Sequence, residues 1–466
     1  MRPRRVLLVT AALTAILVPA LPRADASTPA PNSPIRLGDG GHVDVATGTD
    51  GTGYAVWTHQ NAPGHEGQVQ YCRIKRGTRA CDVTHTFDLD GQEQIGSRPY
   101  VLLPGGTTVI VLAHECCFSS GDPGYKGQSD HTVIWTSTDG GATFPSTSNL
   151  VGTLEPGGQA ALSKDGTSAY LIDDTVTAGE HVQQVQLSGG PTAKTAALLP
   201  AHDEYGGTVA QLADGTVLAA TDDFPNTGGD YTAHIAKLTG SDPDADASWT
   251  TVQTEPAQLT HLITGPHGTF LVSATADYHA RLQVQKWNGT AFGPVHFIVP
   301  KGEDDIFPAA WQDAGGHLFV LYSDGNRNLT VRRSTDGTHW SGPVRLAAAR
   351  SGAFYDLRGS TAKDGGGWAV YDENGTGGHA WIVPVPLART VTEAKGHGTV
   401  HGKVTPGKLG QPVVVQVKQG TRWVTTKRGH LKAGGSYSFA LPTTTFRVFA
   451  PAVEGYAAAS GATLSP

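Results

Sequence analysis

Residues 308–349 read PAAWQDAGGHLFVLYSDGNRNLTVRRSTDGTHWSGPVRLAAA. A run of small residues, Pro308-Ala309-Ala310, leads into a turn of Asp and Gly and then into the apolar segment GHLFVLYSD, which ends on an acid. A third run, LTVRRS, alternates apolar and polar side chains, and a fourth, GPVRLAAA, closes the unit. Runs this short, with period-two alternation and Gly, Asp or Asn at their ends, describe strands joined by tight turns. Four such strands within a repeat of about 50 residues make a unit the size of one propeller blade.

The same unit recurs along the chain. Second runs matching GHLFVLYSD are TGYAVWT, TTVIVLAHE, TSAYLIDD, TVLAATDD, GTFLVSATAD and GGWAVYDE, and the matching third runs are QVQYCRI, HTVIWTS, HVQQVQL, AHIAKL, RLQVQKW and HAWIVPV. First runs stay rich in small residues, as in Gln159-Ala160-Ala161 and Thr208-Val209-Ala210, which suits a crowded inner strand at a propeller axis. Fourth strands are legible as GPVHFIVP and GPVRLAAA in repeats five and six, but the seventh repeat has none before Leu387. The segment SPIRLGD, Ser33 to Asp39, resembles the missing strand, so the chain is expected to close its ring by pairing its two ends and leaving no exposed edge. The expected fold is all-β: a seven-bladed β-propeller over residues 27–394, then a small β-sandwich over 395–466. The tail alternates through PVVVQVK, RWVTTK, SYSFAL and FRVFAPA and looks like an immunoglobulin-like module.

Composition agrees with sheets. The chain has 60 Gly and 29 Pro in 466 residues, and only 16% of its residues are charged. At the N-terminus, Arg2, Arg4 and Arg5 precede an apolar run from Val6 to Val18 and a small-x-small site at Ala24-Asp25-Ala26. These describe a signal peptide over residues 1–26 and an exported, secreted product. Arg4-Arg5-Val6-Leu7-Leu8 also fits the core of a twin-arginine signal, which leaves the export route open. No stretch is long and apolar enough for a membrane span. Cys72 and Cys81 flank a short segment and are expected to staple one hairpin, whereas the adjacent Cys116 and Cys117 form either a strained vicinal disulfide or two thiols.

Charge is unevenly divided. Residues 27–394 carry 21 Lys/Arg against 39 Asp/Glu, whereas residues 395–466 carry nine Lys/Arg against Glu454 alone. The acidic body argues against nucleic acid as a main ligand, and the basic tail either rests on an anionic surface polymer or simply keeps itself soluble.

Two hairpins are more specific: STDGGATF, Ser137 to Phe144, and STDGTHW, Ser334 to Trp340. The first has the form of an Asp-box, Ser-x-Asp-x-Gly-x-Thr-aromatic, and the second is one residue shorter. The aspartates Asp139 and Asp336 are expected to accept turn N–H bonds, and Phe144 and Trp340 to fill gaps between blades, which makes both motifs structural. Asp-boxes in repeated propeller hairpins resemble the sialidase superfamily (BNR repeats). That resemblance covers most of residues 35–387 and implies a secreted, glycan-acting hydrolase. In that family three arginines bind a carboxylate, a Tyr nucleophile is helped by a Glu, and an Asp is the acid/base. The usual Phe-Arg-Ile-Pro motif is missing here; Ser97-Arg98-Pro99-Tyr100 is the nearest stretch.

Loops between second and third strands share one face with the connections between blades, and that face is where a site belongs. Arg98, Arg327 and Arg358 are the arginines placed there for an anion. Tyr355, or Tyr205 with Glu204, are the candidate nucleophile and helper, and Glu115 or Asp356 the candidate acid/base. No metal-ligand spacing appears, although the acidic doublets of this face fit calcium as a cofactor. An extracellular glycan is the expected partner, and a non-catalytic recognition or scaffold propeller is the alternative.

Overall fold

The structure is a computed structural model that describes residues 30–60, 66–92, 98–115, 131–151, 158–172, 181–188, 197–199, 204–223, 231–276, 281–299, 306–324, 326–348, 354–373 and 378–466. The expected signal peptide and the Cys116–Cys117 pair lie outside the described residues. Regular structure is almost wholly strand; the described residues add two short 3-10 turns, Asp246–Ser248 and Ala433–Gly435. Among them no helix is long and apolar enough to cross a membrane.

Seven four-stranded antiparallel sheets follow one another along the chain. Their inner strands are Gly41–Thr47, Tyr100–Gly105, Ala161–Leu162, Glu204–Gln211, Ala257–Gly265, Ile306–Gln312 and Phe354–Thr361. Each pairs with the apolar second run read above and then with the alternating third run. Sheets one to six finish with their own outer strands, from Val83–Gln92 to Val344–Ala348. Sheet seven has Ile35–Asp39 there instead, with Ile35 opposite Ile382 and Asp39 opposite His379. The two ends of this region therefore share one sheet.

Packing runs in a circle. One apolar cluster fills each gap between consecutive sheets: Val111 and Trp135 against Val56 and Phe87 between sheets two and one, for instance. The last gap joins Trp368 and Val370 of sheet seven to Val45 and Trp57 of sheet one. Inner strands approach so closely at some positions that only glycine fits. A Cβ on Gly359 would lie 2.2 Å from the Trp311 ring, and one on Gly158 only 2.3 Å from the Gly207 carbonyl oxygen.

The recurring Asp-Gly turn has a local cause. In the hairpin between inner and second strands, the carboxylates of Asp50, Asp165, Asp214, Asp313 and Asp364 each accept the N–H two residues on, at 2.8–3.1 Å. At the third-to-fourth turn of sheet two, Asp139 Oδ1 accepts the N–H groups of Ala142 (3.0 Å) and Thr143 (2.9 Å), and Ser137 Oγ accepts that of Gly141 (2.8 Å). Phe144 then packs 5.0 Å, centroid to centroid, from both Tyr71 and Phe87 of sheet one. Asp336 does the same work in sheet six, and Trp340 packs on the cluster between sheets five and six. Backbone N–H donors, that of Thr143 foremost, hold the Asp139 carboxyl below its ordinary range. Asp139→Ala is therefore expected to lower the melting temperature while leaving ligand binding per folded molecule unchanged. A folded variant that has lost binding contradicts the structural role.

Cys72 and Cys81 form a disulfide, Cα to Cα 5.5 Å, across the hairpin between the third and fourth strands of sheet one. The tail comprises a three-stranded sheet (Thr390–Gly396, Thr399–Thr405, Ser436–Ala440) and a four-stranded sheet (Arg422–His430, Pro412–Gln419, Phe446–Ala450, Ala459–Ser460). They share an apolar core of Val400, Val404, Val413, Val415, Phe446 and Val448. Its first strand begins at Thr390, five residues ahead of residue 395, the expected start of the tail.

Candidate functional site

The inner strands begin at the end of the ring opposite the Ser-x-Asp hairpins. Five of them slip register there, at Gly41/Asp44, Glu204/Gly207, Gln258/His261, Ile306/Ala309 and Tyr355/Arg358. Bulges re-aim side chains. Three place a residue other than glycine in the left-handed region: His42 (φ 52°), Leu259 (φ 54°) and Asp356 (φ 46°). That conformation costs on the order of 1 kcal/mol at each.

Two of these bulges are held by a carboxylate from the neighbouring sheet. The Thr260 N–H donates to Asp222 Oδ2 at 2.9 Å, and the His42 N–H to Asp372 Oδ2 at 3.2 Å. Both aspartates are buried, and the second oxygen of each has no protein partner among the described residues. Burial is the main reason that both carboxyls are pushed up to about 7. Because the folded pKa lies above the unfolded one, their contribution to stability is complete below about pH 4 and lost as pH rises to about 7. The double variant Asp222→Asn/Asp372→Asn cannot ionise at these positions. Denaturant unfolding between pH 4 and 8 is expected to show a flatter stability profile for it than for the parent; identical slopes refute the burial cause.

The bulge of sheet seven carries a charged pair. Asp356 receives Arg98 Nη2 from the entrance of sheet two and faces His42 Nδ1 of sheet one at 3.2 Å. The Arg98 and Asp356 side chains are only 11% and 21% exposed. Burial by itself raises the Asp356 carboxyl, but the Arg98 charge and the His42 contact outweigh it and hold the group well below the ordinary range. Around His42, then, stand Asp356, held ionised by Arg98, and Asp372, whose carboxyl is pushed up to about 7. Carboxyls driven apart in this way are the usual basis of acid and base roles. An Asp356 held ionised this far below neutrality has no proton to give and is a poor acceptor of one.

Beneath this cluster the inner strands enclose a cavity of about 160 Å³ lined by Asp44, Tyr100, Gln159, His261, Arg358 and Ser360, among others. Burial raises Asp44 to about 6 although its Oδ2 accepts the Val101 N–H at 2.9 Å, and burial lowers His261 to about 4.

The sequence-read residues are distributed as follows. Arg98 and Asp356 meet directly. Arg358 lines the axial cavity, its Nη1 donating to the Leu357 carbonyl at 2.9 Å. Arg327 occupies an exposed turn of sheet six at φ 58°, where its N–H donates to Asp324 O, and no described contact joins it to Arg98 or Arg358. Tyr355 precedes Asp356 on the inner strand of sheet seven, Glu204 and Tyr205 open that of sheet four, and Glu115 ends the second strand of sheet two. The side chains of these four lie outside the described residues. His42 was missed because nothing in Gly41-His42-Val43 announces a bulge. Among the described residues no group of three or more His, Cys, Asp or Glu is placed to hold a metal ion.

No family model matches the chain, and no curated protein matches it. Among solved structures it is similar to the α-L-arabinanase of Penicillium chrysogenum complexed with arabinobiose, at 12% identity and a TM-score of 0.43, over 77% of this chain and 99% of that one. A lectin from Burkholderia pseudomallei is similar at 11% identity and a TM-score of 0.47, over 74% and 96%. The α-L-arabinofuranosidase of Fusarium graminearum, in complex with an iminosugar inhibitor, is similar at 10% identity and a TM-score of 0.41, over 76% and 98%.

Proposed function

We propose that the protein is a secreted, sialidase-like propeller of seven blades that binds extracellular glycan at the axial mouth formed by Arg98, Asp356 and His42. If it is active, it is a glycoside hydrolase of the exo-sialidase type. In this reading the seven sheets are the blades, and the tail is a small immunoglobulin-like sandwich. The observation that carries the site is the Arg98–Asp356–His42 set itself: Asp222 and Asp372 cap their bulges through backbone N–H groups, whereas Asp356, inside its own bulge, receives a guanidinium and faces an imidazole. The ligand class is supported by the two Ser-x-Asp hairpins and their resemblance. Arg98 and Arg358 hold the sugar carboxylate, Asp356 fixes the position of Arg98, and Tyr355 stands next to Asp356 in the chain.

The tail has its own part in the proposal. Register places Trp423, Gln416, Arg447 and Phe449 on the outer face of the four-stranded sheet, and the Arg447 guanidinium lies 4.5 Å from the Trp423 ring centre and 5.6 Å from that of Phe449. Lys418 and Arg428 share that face, which suits an anionic surface polymer. The scaffold reading is favoured by one observation, that Asp372 and Asp222 make the same capping bond in two different places, as purely structural groups do.

The test is binding and release of sialosides and uronate-containing oligosaccharides by residues 27–466, against neutral analogues. A preference for acidic glycans that falls at least tenfold in the Arg98→Ala/Arg327→Ala/Arg358→Ala variant is expected. No preference, or one that survives the triple change, leaves the scaffold reading.

A further inference from the structure

A second cavity, of about 240 Å³, lies far from the axial mouth, where sheets six and seven meet the linker and the tail. Its apolar wall comes from Phe319, Val331, Val344 and Val385, and Ala457 and Ala458 reach it from the tail. Three arginines line it, Arg332, Arg333 and Arg389, and among the described residues no carboxylate does. Asp364, next in sequence to the lining Gly365, is held by both arms of Arg76.

Arg389 is the unusual member. It is 7% exposed, yet every hydrogen bond it makes among the described residues goes to a neutral backbone carbonyl: Nε to Ala457 at 2.6 Å, and Nη2 to Ala450 at 3.2 Å and to Pro451. Its Nη1 has no protein partner among the described residues. Burial also lowers its pKa, the direction expected of a cation without an anion nearby. Arg333 is exposed at the rim, with no ion pair among the described residues, and Arg332 leans on Tyr322 Oη (2.8 Å) and the Ser341 carbonyl (3.2 Å). A desolvated guanidinium without a counter-charge is costly and is relieved by an oxyanion that accepts from its fork.

We propose that this junction cavity is an anion site that takes a monosaccharide-sized sugar acid, its carboxylate or sulfate on Arg389 and Arg333 and its body against Phe319 and Val331. Because Arg389 belongs to the linker and Ala457 to the tail, the occupant bridges ring and tail and strengthens their docking. This inference does not depend on the axial mouth.

Calorimetric titration and thermal unfolding of residues 27–466 with glucuronate, sodium sulfate and glucose test it. Glucuronate is expected to bind and to raise the melting temperature, sulfate to compete with it more weakly, and glucose to do neither. Arg333→Ala at the rim should weaken glucuronate at least tenfold without unfolding the junction, and Arg389→Lys, which keeps the charge but loses the fork, should do the same. The axial variant Arg98→Ala/Asp356→Ala, which removes the other proposed sugar-acid site, should keep the Arg333-dependent binding and the rise in melting temperature that comes with it. Absence of glucuronate binding, or its survival when Arg333→Ala is added to the axial variant, overturns the proposal. So does its loss in the axial double variant, which would place the anion at the other site, and so does sulfate binding as tightly as glucuronate, which would remove the sugar from it.

Discussion

A chain that starts at Gly40 is expected to unfold at a far lower temperature than one that starts at Pro31, because it lacks the outer strand of sheet seven. Ile35 and Leu37 pack on the cluster shared by sheets seven and one, and four residues of the strand pair with the segment His379–Ile382. Partial burial of two aliphatic side chains contributes about 1 kcal/mol each and the ladder bonds about 1 kcal/mol each, a total on the order of 5 kcal/mol. That is comparable with the whole net stability of many domains. The loss also exposes the edge His379–Val385, so aggregation should accompany it. Thermal unfolding of both truncations is the check, and equal melting temperatures would mean that the strand does not hold the ring closed. Asn32→Ala loses the bonds of Asn32 to Tyr456 and Gly455 and serves as the control for the tail contact.

Arg98→Ala should destabilise the ring by about 3 to 5 kcal/mol, since it strands the Asp356 carboxylate in a site where burial opposes its charge. Removing both partners in Arg98→Ala/Asp356→Ala should recover much of that loss, because no charge is left unpaired. A double-mutant cycle by denaturant unfolding measures the coupling. If the single and double variants are equally stable, the pair is a solvated contact and the mouth is softer than described.

Much of the fold was legible because its causes are local. Period-two alternation, Asp-Gly turns and small inner runs each follow from the chemistry of a few adjacent residues, and the missing fourth strand of the last repeat pointed to Ser33–Asp39. The fourth strands were less legible: GPVHFIVP forms only the short strand His296–Phe297, as an outer strand with one neighbour demands little of its sequence. The first strand of the tail sheets, Thr390–Gly396, straddles the expected boundary at 394/395, because its mostly exposed side chains give it no apolar run to mark it. The site was the least legible part. That Arg98 meets Asp356 depends on a bulge in sheet seven and on sheets two and seven flanking sheet one, neither of which leaves a mark in Ser97-Arg98-Pro99 or Tyr355-Asp356-Leu357. His42 owes its place to a backbone conformation that sequence patterns do not encode.

The axial mouth is the proposed ligand site, and Asp356 supplies its sharpest test, because that carboxylate competes with any acidic sugar for Arg98. Titration of a sialoside and of a neutral glycan into the parent, Asp356→Asn and Arg98→Ala/Asp356→Ala separates the cases. If the mouth reads an anion through Arg98, Asp356→Asn should bind the sialoside about tenfold more tightly than the parent, the double variant should lose it, and the neutral glycan should distinguish none of the three. A sialoside affinity that is the same in all three proteins would contradict the account.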